Sequence, residues 1–212
     1  MLQDSETIHS IVIGLGFRAR SGKDSAAAAI IGTHSNQYSI KRFAFADELK
    51  REVNEMAQQA GGMQNLFLKH KGIWPSWVGY EKDAPIDYLC PEGKQRRLLQ
   101  YWGVYRREQD ENYWVEKVAK KISEDQPMVA LVSDLRFKNE KKWIEQYGDS
   151  IRVDRPGLDS LDSHISEQEL AKVPDYEWGA ILKNDCSLEE FQTRAVNVFD
   201  YLMERPQGVK NA

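Results

Sequence analysis

A chain of 212 residues, 41% hydrophobic and 29% charged, is long enough to bury one full core and too apolar to stay disordered. Its net charge of −4 speaks against a protein that coats nucleic acid, which needs a broad basic field to displace counterions. No apolar run approaches the roughly 18 to 20 residues that cross a bilayer, and Cys90 and Cys186 stand in no CxxC or Cys/His spacing. The chain therefore reads as a cytoplasmic protein with reduced thiols and with neither nucleic acid nor membrane as a partner.

In chain order, Ile8 to Ile13 reads as a short buried strand and "KDSAAAAIIG" from Lys23 as a helix ended by Gly32. A second strand is expected near Ile40 to Phe43, then a helix with Leu49, Val53 and Met56 on its apolar face, closed by Gly61 and Gly62. From Met63 to Pro91 the periodicity fails, so loops and short helices are expected there. The segment "KQRRLLQYWGVYRREQDENYWVEKVAKKISED" reads as two helices separated by Gly103 to Asp110. "PMVALVSDLRF" is the strongest buried-strand candidate, followed by a helix "KNEKKWIEQYG", a strand "SIRVDRP", a polar stretch around His164, a strand "WGAILKN" and a helix "SLEEFQTRAVNVFDYLMER". Strands alternating with helices imply an α/β fold with a parallel sheet and helices on both faces. The expectation is a single domain over 1–212 with a substrate-binding or lid insertion at about 60–110.

The stretch "GLGFRARSGKDS" joins the first strand to the first helix. A phosphate loop works in that context: glycines let several backbone N–H groups point inward, and the helix N-terminus adds partial positive charge. Gly22 and Lys23 stand where such a loop needs them, but Phe17 stands where the first glycine is usual and Gly16 lies one position early. Asp24 replaces the usual magnesium-binding hydroxyl residue, with Ser25 one step later, and a carboxylate also serves a magnesium ion. Asp134 and Arg136 end the most apolar strand, at the edge where parallel sheets bind ligands; the alternative for Asp134 is a cap on the next helix. Arg18, Arg20, Arg96, Arg97, Arg106, Arg107, Arg152 and Arg155 supply guanidinium forks suited to phosphate oxygens, with Arg97 and Arg107 favoured because they flank the expected Gly103 bend beside Gln100 and Trp102. The four histidines form no triad or metal spacing, which favours an acceptor that is already anionic and needs no base to take its proton.

Four ordered segments resemble the phage deoxynucleoside monophosphate kinases, a branch of the P-loop kinases. Arg20 to Ser25 is similar to that family's Arg/Lys-Ser-Gly-Lys-Asp-Ser/Thr loop, so Asp24 is normal there. "FAFADELK" resembles its Phe-Ala-Asp-Pro-Leu-Lys stretch with Glu48 in place of proline, "RRLLQYWG" its Leu-Leu-Gln segment, and "SDLRFKNE" its Asp-Val-Arg-Phe-x-Asn-Glu signature. The weaker likenesses "IRVDRPG", "HISEQEL" and "LKNDCSLEEF" extend the resemblance over nearly the whole chain. The resemblance implies a P-loop NTPase fold of three layers, α/β/α, and transfer of the γ-phosphate of ATP, with Mg2+, to a deoxynucleoside monophosphate for phage DNA precursor synthesis. It further implies that Lys23 grips the β and γ phosphates within a loop of Arg18, Arg20, Ser21, Gly22, Asp24 and Ser25. Asp24, Ser25 and Asp134 are expected near the metal, and Asp47, Lys50, Arg97, Gln100 and Trp102 on the acceptor side. Asp134 and Arg136 close the centre, and Arg106 and Arg107 are the lid-arginine candidates.

Three rivals stand beside this expectation: a phosphomevalonate-type P-loop kinase, a nucleotide-binding protein that has lost catalysis, with Phe17 as its mark, and a kinase acting on modified bases within DNA. Aromatic residues able to stack a base, Phe45, Trp74, Trp77 and Trp102, favour the nucleotide enzyme. A homodimer is left open.

Overall fold

The computed structural model describes residues 8–69, 72–75, 78, 94–158 and 169–205. Cys90, Trp77 and His164 lie outside them. The chain divides into two compact units, one formed by 1–44 with 118–212 and the other by 45–117.

The first unit is built on strands β1 (Ile11–Gly16), β2 (Ile40–Phe43), β3 (Val129–Leu135), β4 (Gly148–Asp154) and β5 (Ala180–Lys183). They form one sheet in the order β2-β3-β1-β4-β5, every neighbour parallel. β1 begins three residues later than its apolar run suggested because the ladder begins at Ile11 opposite Val129. Ser10, just before it, donates its hydroxyl to the carbonyl of Pro127. β1 then runs on to Gly16, opposite Leu135 and Arg152. Gly14 and Gly16, read from sequence as loop glycines, are therefore buried strand residues. A Cβ on Gly14 would stand 2.5 Å from Ile144, and one on Gly16 would stand 3.0 Å from both Leu135 and Trp178; the glycines let side chains pack flat on the strand.

Helix α1 (Lys23–His34) follows β1. Gly32 does not end it: the helix continues two more residues to His34, which is buried against the Phe199 ring at 5.0 Å. Ala26, Ala27 and Ile30 of α1 meet Phe191, Ala195, Phe199 and Leu202 of α7 (Leu188–Glu204) over Ile13, Leu15, Val129, Leu131, Ile151, Val153 and Leu182 of the sheet. Because successive strand residues face opposite ways, Gly14 meets Ile144 of helix α6 (Lys138–Tyr147) on the other face. Helix, sheet and helix thus form three layers, as the sequence implied.

The second unit holds α2 (Phe45–Ala60), α3 (Met63–Lys69), α4 (Lys94–Gln109) and the first turn of α5 (Tyr113–Asp125). α2 closes as expected: the Gly62 N–H reaches the Ala57 carbonyl and the Gly61 N–H that of Gln58, with both glycines at positive φ, the Schellman arrangement. The break expected at Gly103 to Asp110 is not there. α4 runs unbroken through Gly103, whose missing Cβ leaves room for Leu49 at 3.4 Å and whose carbonyl accepts the Trp114 indole N–H. The chain turns only at Asp110, whose carboxylate accepts the Asn112 N–H at 2.9 Å.

Candidate active site

The first unit carries a pocket of about 470 Å³ lined by Ala19, Arg20, Gly22, Lys23, Asp24, Ser25, Ser133, Asp134, Arg136, Arg155, Asn184, Cys186, Leu188 and Phe191. Its parts come from the ends of β1, β3, β4 and β5 and the start of α1, so it sits at the carboxyl edge of the sheet. The N-terminus of α1 opens into it, which offers backbone N–H groups and partial positive charge to an anion. Asp24, exposed in the first turn of α1, suits that end of the helix.

The turn from β1 into α1 uses three residues at positive φ: Phe17 at 102°, Arg20 at 60° and Gly22 at 109°. Gly22 has a second reason to be glycine, since a Cβ there would stand 2.6 Å from the Asn184 amide. That amide donates to the Ser21 carbonyl at 2.8 Å and ties the loop to the segment after β5. Phe17 takes a backbone conformation that glycine adopts freely and other residues rarely do. Its side chain turns away from the pocket and is 6% exposed, with the Arg152 guanidinium 4.2 Å and that of Arg18 5.2 Å from the ring centre.

Lys23 is 7% exposed. Its ammonium donates to the Arg18 carbonyl and, at 3.3 Å, to that of Phe17, and lies 3.4 Å from the Ser21 hydroxyl. Burial, with Arg136 nearby, pushes its pKa down to about 8, against the pull of Asp134 and Asp24. Asp134 lies within β3 and does not cap α6. That position belongs to Phe137, and the Glu140 carboxylate accepts the backbone N–H groups of Arg136 and Phe137 at 2.9 and 3.1 Å.

Of the nucleotide-side residues singled out in the sequence, Arg20, Gly22, Lys23, Asp24, Ser25, Asp134 and Arg136 line this one pocket. Ser21, within the loop, is buried. Arg18 is turned toward the Phe17 ring and donates to the Leu158 carbonyl at 2.7 Å. Sequence reasoning missed Ser133, Asn184, Cys186, Leu188 and Phe191. The usable signal was position, since "KNDCSLEEF" follows a strand at the ligand edge of a parallel sheet. It also missed Arg42, whose guanidinium reaches the Ser133 hydroxyl at 3.3 Å from the neighbouring strand.

The acceptor-side and lid candidates belong to the second unit. Asp47 and Lys50 are one turn apart on α2, at 3.9 Å, and Arg97 and Gln100 lie on α4, Arg97 exposed and Gln100 half-buried. Trp102 is 3% exposed. Its ring meets Trp74 at 5.2 Å, Tyr105 at 5.1 Å and the Arg106 guanidinium at 4.8 Å, and its N–H is held by Glu52 at 2.8 Å. It is packing for this unit and offers no open face to a base; Phe45 is likewise buried, and Trp74 is stacked on Phe67 at 5.0 Å. Arg106, expected as a lid arginine, is paired with Glu52 at 2.8 Å, and Arg107 donates back to the Gly103 carbonyl at 3.2 Å. Glu52 also accepts the Tyr113 hydroxyl at 2.5 Å. Burial raises the Glu52 pKa, but the hydrogen bonds from Tyr113, Trp102 and Arg106 outweigh it and hold the group below the usual carboxylate range. The same pairing, after burial, pushes Tyr113 up to about 12.

Comparison with known proteins agrees with the motifs. Residues 94–195 match the family model described as deoxynucleotide monophosphate kinase. The chain is 27% identical over 209 residues to a putative deoxynucleotide monophosphate kinase of Acanthamoeba polyphaga mimivirus, covering 90% of this chain and 96% of that one. It is 24% identical over 182 residues to the deoxynucleoside-5'-monophosphate kinase of Escherichia phage T5, covering 65% and 72%. Among solved structures, dephospho-CoA kinase from Campylobacter jejuni aligns over 92% of this chain and 98% of its own with a TM-score of 0.51 at 13% identity, a likeness of fold. Motifs, family model and curated relatives converge: the resemblance of this chain is to the deoxynucleotide monophosphate kinases.

Proposed function

We propose that the protein transfers the γ-phosphoryl group of ATP to a deoxynucleoside 5'-monophosphate, giving ADP and the diphosphate. The observation that carries this reading is a pocket in which the turn before α1, Lys23, Asp134, Arg136 and Arg155 meet. A phosphate oxygen of the acceptor attacks the γ phosphorus while the bond from that phosphorus to the β,γ-bridging oxygen breaks, and ADP departs with the electron pair. The nucleophile is already anionic, so the work is positioning and cancellation of charge. Backbone N–H groups of the loop and the Lys23 ammonium hold the β and γ phosphates; Arg20, Arg136 and Arg155 offset the charge spread over the transferring oxygens. Leu188 and Phe191 give the pocket an apolar wall beside the amide of Asn184, suited to the nucleoside end of ATP.

Asp24, Ser25 and Asp134 line this same pocket, and among the described residues no three acidic, histidine or cysteine side chains cluster as a metal cage. That donor set fits magnesium, which keeps several waters and takes one or two carboxylates together with phosphate oxygens. Bound there, it would neutralise phosphate charge. Asp47, Lys50, Arg97 and Gln100 of the second unit are carried over from the family resemblance as the residues that bind the acceptor, with Arg107 as a further guanidinium. Phe17, the residue that departs from the usual loop, stands at a positive φ of 102° that a glycine adopts freely, so the departure leaves room for an active loop. Among the described residues no helix is long and apolar enough to cross a membrane, in keeping with an enzyme working in the cytoplasm of the host cell.

The test is ADP release from Mg-ATP against dTMP, dGMP, dCMP, dAMP, hydroxymethylated pyrimidine monophosphates and phosphomevalonate. Turnover on one or more deoxynucleotides is the expected result; turnover on phosphomevalonate alone, or ATP bound and left intact with every acceptor, refutes it. Lys23→Ala and Asp134→Ala are each expected to leave less than a tenth of the activity, a loss above about 1.4 kcal/mol of transition-state stabilisation, with the far-UV spectrum unchanged.

A further inference from the structure

Phe17 poses a physical problem that the proposed function does not answer. A φ of 102° is strained for any residue with a Cβ, and the backbone holds it only where the surroundings over-determine it. The determinant is on the neighbouring strand. Gly16, the last residue of β1, is paired with Arg152 of β4. The Arg152 guanidinium, 4.2 Å from the Phe17 ring centre, is itself fixed by Asp175 at 2.6 Å and Asp154 at 3.3 Å. From its other neighbour, the Arg18 guanidinium lies 5.2 Å from the same ring and is anchored to the Leu158 carbonyl. Phe17 is also where the loop starts to serve the pocket, since its own carbonyl accepts from Lys23.

We propose that Arg152 is a positioning residue for the nucleotide loop: stacked on Phe17 and tied to Asp154 and Asp175, it locks the first residue of the turn in a glycine-like conformation and so pre-shapes the loop for phosphate. A planar cation over an aromatic face suits this duty, because the contact is directional and persists in a partly buried setting. Where a glycine would leave the turn free to reorganise, the Phe17–Arg152 pair fixes it before nucleotide arrives, and less ordering remains to be done on binding. Arg152 does not line the pocket, so its influence on nucleotide runs through Phe17. This inference rests on the reading of the loop as an ATP site.

The experiment is a double-mutant cycle of Phe17→Gly and Arg152→Met, with Arg152→Lys added, read by calorimetric binding of a non-hydrolysable ATP analogue with magnesium and by kcat and KM for each substrate. Arg152→Met is expected to weaken nucleotide binding about tenfold in the wild-type background and less than about twofold in the Phe17→Gly background, since residues acting as one unit are non-additive. The KM for ATP should rise while the KM for the acceptor stays put, and Arg152→Lys, which keeps the charge but lacks the plane, should restore only part of the affinity. Equal losses in both backgrounds, full rescue by Lys, or unchanged affinity in Arg152→Met each overturn the proposal, and a melting curve on every variant separates these results from misfolding. Wild-type protein that binds no nucleotide overturns the underlying reading as well, and is recognised before any variant is compared.

Discussion

Lys23 is a buried ammonium whose nearest partners are neutral carbonyls, and that makes it a proton-linked ligand. With its pKa pushed down to about 8, the free protein carries it mostly neutral above that pH. Phosphate oxygens beside it favour the charged form, so its pKa rises on binding. Affinity for ATP should therefore be complete below about pH 8 and decline as pH rises from there toward the pKa of the bound form. Near pH 8.5, binding is expected to take up protons, measured as a dependence of calorimetric enthalpy on the ionisation enthalpy of the buffer; no uptake, or uptake that survives in Lys23→Met, excludes Lys23 as the linked group. Gly22→Ala puts a Cβ against the Asn184 amide in a backbone conformation alanine avoids, and should cost at least about 1 kcal/mol of stability along with nucleotide binding, read by urea denaturation and titration. Legibility at this scale was uneven. Gly22, Lys23 and Asp134 stand out because few residue types serve there. Asn184 does not, since an amide that props a carbonyl leaves no spacing pattern.

At the level of elements, glycine misled inside two helices, as it did at Gly14 and Gly16 of β1, and informed at the end of α2. Gly32 and Gly103 sit inside helices because the turns beyond them are held by His34 on Phe199 and by side chains drawn over Gly103, so tertiary packing outweighed a propensity difference of about 1 kcal/mol. Gly61 and Gly62 do end α2, because two of them in sequence supply the positive φ that the closing hydrogen bonds require. The loss of the Gly103 bend also removes the local-geometry reason for favouring Arg97 and Arg107, which lie on one continuous helix, and leaves the family resemblance as their ground. What the sequence concealed is Glu52, a charged residue on a periodic helix that looks like surface. In the structure it gathers Trp102, Arg106 and Tyr113, with Lys117 at 3.6 Å, and joins α2 to α4 and α5. Glu52→Ala is expected to destabilise the protein by about 2 kcal/mol, because Glu52 is partly buried and its loss leaves the Trp102 N–H, the Tyr113 hydroxyl and the Arg106 guanidinium without this acceptor. Because the folded-state pKa of Glu52 is depressed, its contribution is present above the unfolded value and lost as pH falls through the folded one. The gap in urea midpoint between wild type and Glu52→Gln should therefore narrow from pH 7 toward pH 3, and a gap that widens in acid contradicts the assignment.

For the molecule as a whole, alternation of strand and helix disclosed the three-layer parallel sheet, because buried parallel strands are apolar without interruption and their crossovers are helices. The insertion expected at about 60–110 falls within the compact unit 45–117; where that unit starts and stops was not legible, since one amphipathic helix resembles another until its partners are known. If the two units serve different substrates, Arg97→Ala should raise the KM for the deoxynucleotide several-fold and leave affinity for the ATP analogue unchanged; steady-state kinetics beside direct titration checks it, and a matching loss in both rejects the division. The strand order has a consequence for how the chain is made. β1 and β2 leave the ribosome first, yet neither touches the other, because β3 stands between them. Until Val129 to Leu135 has emerged there is no sheet for β1 to join, and at roughly 5 to 20 residues per second the wait is on the order of ten seconds. For that interval the most apolar edge of the nascent protein is unpaired, and a chaperone that reads short hydrophobic segments has its target in the first strand.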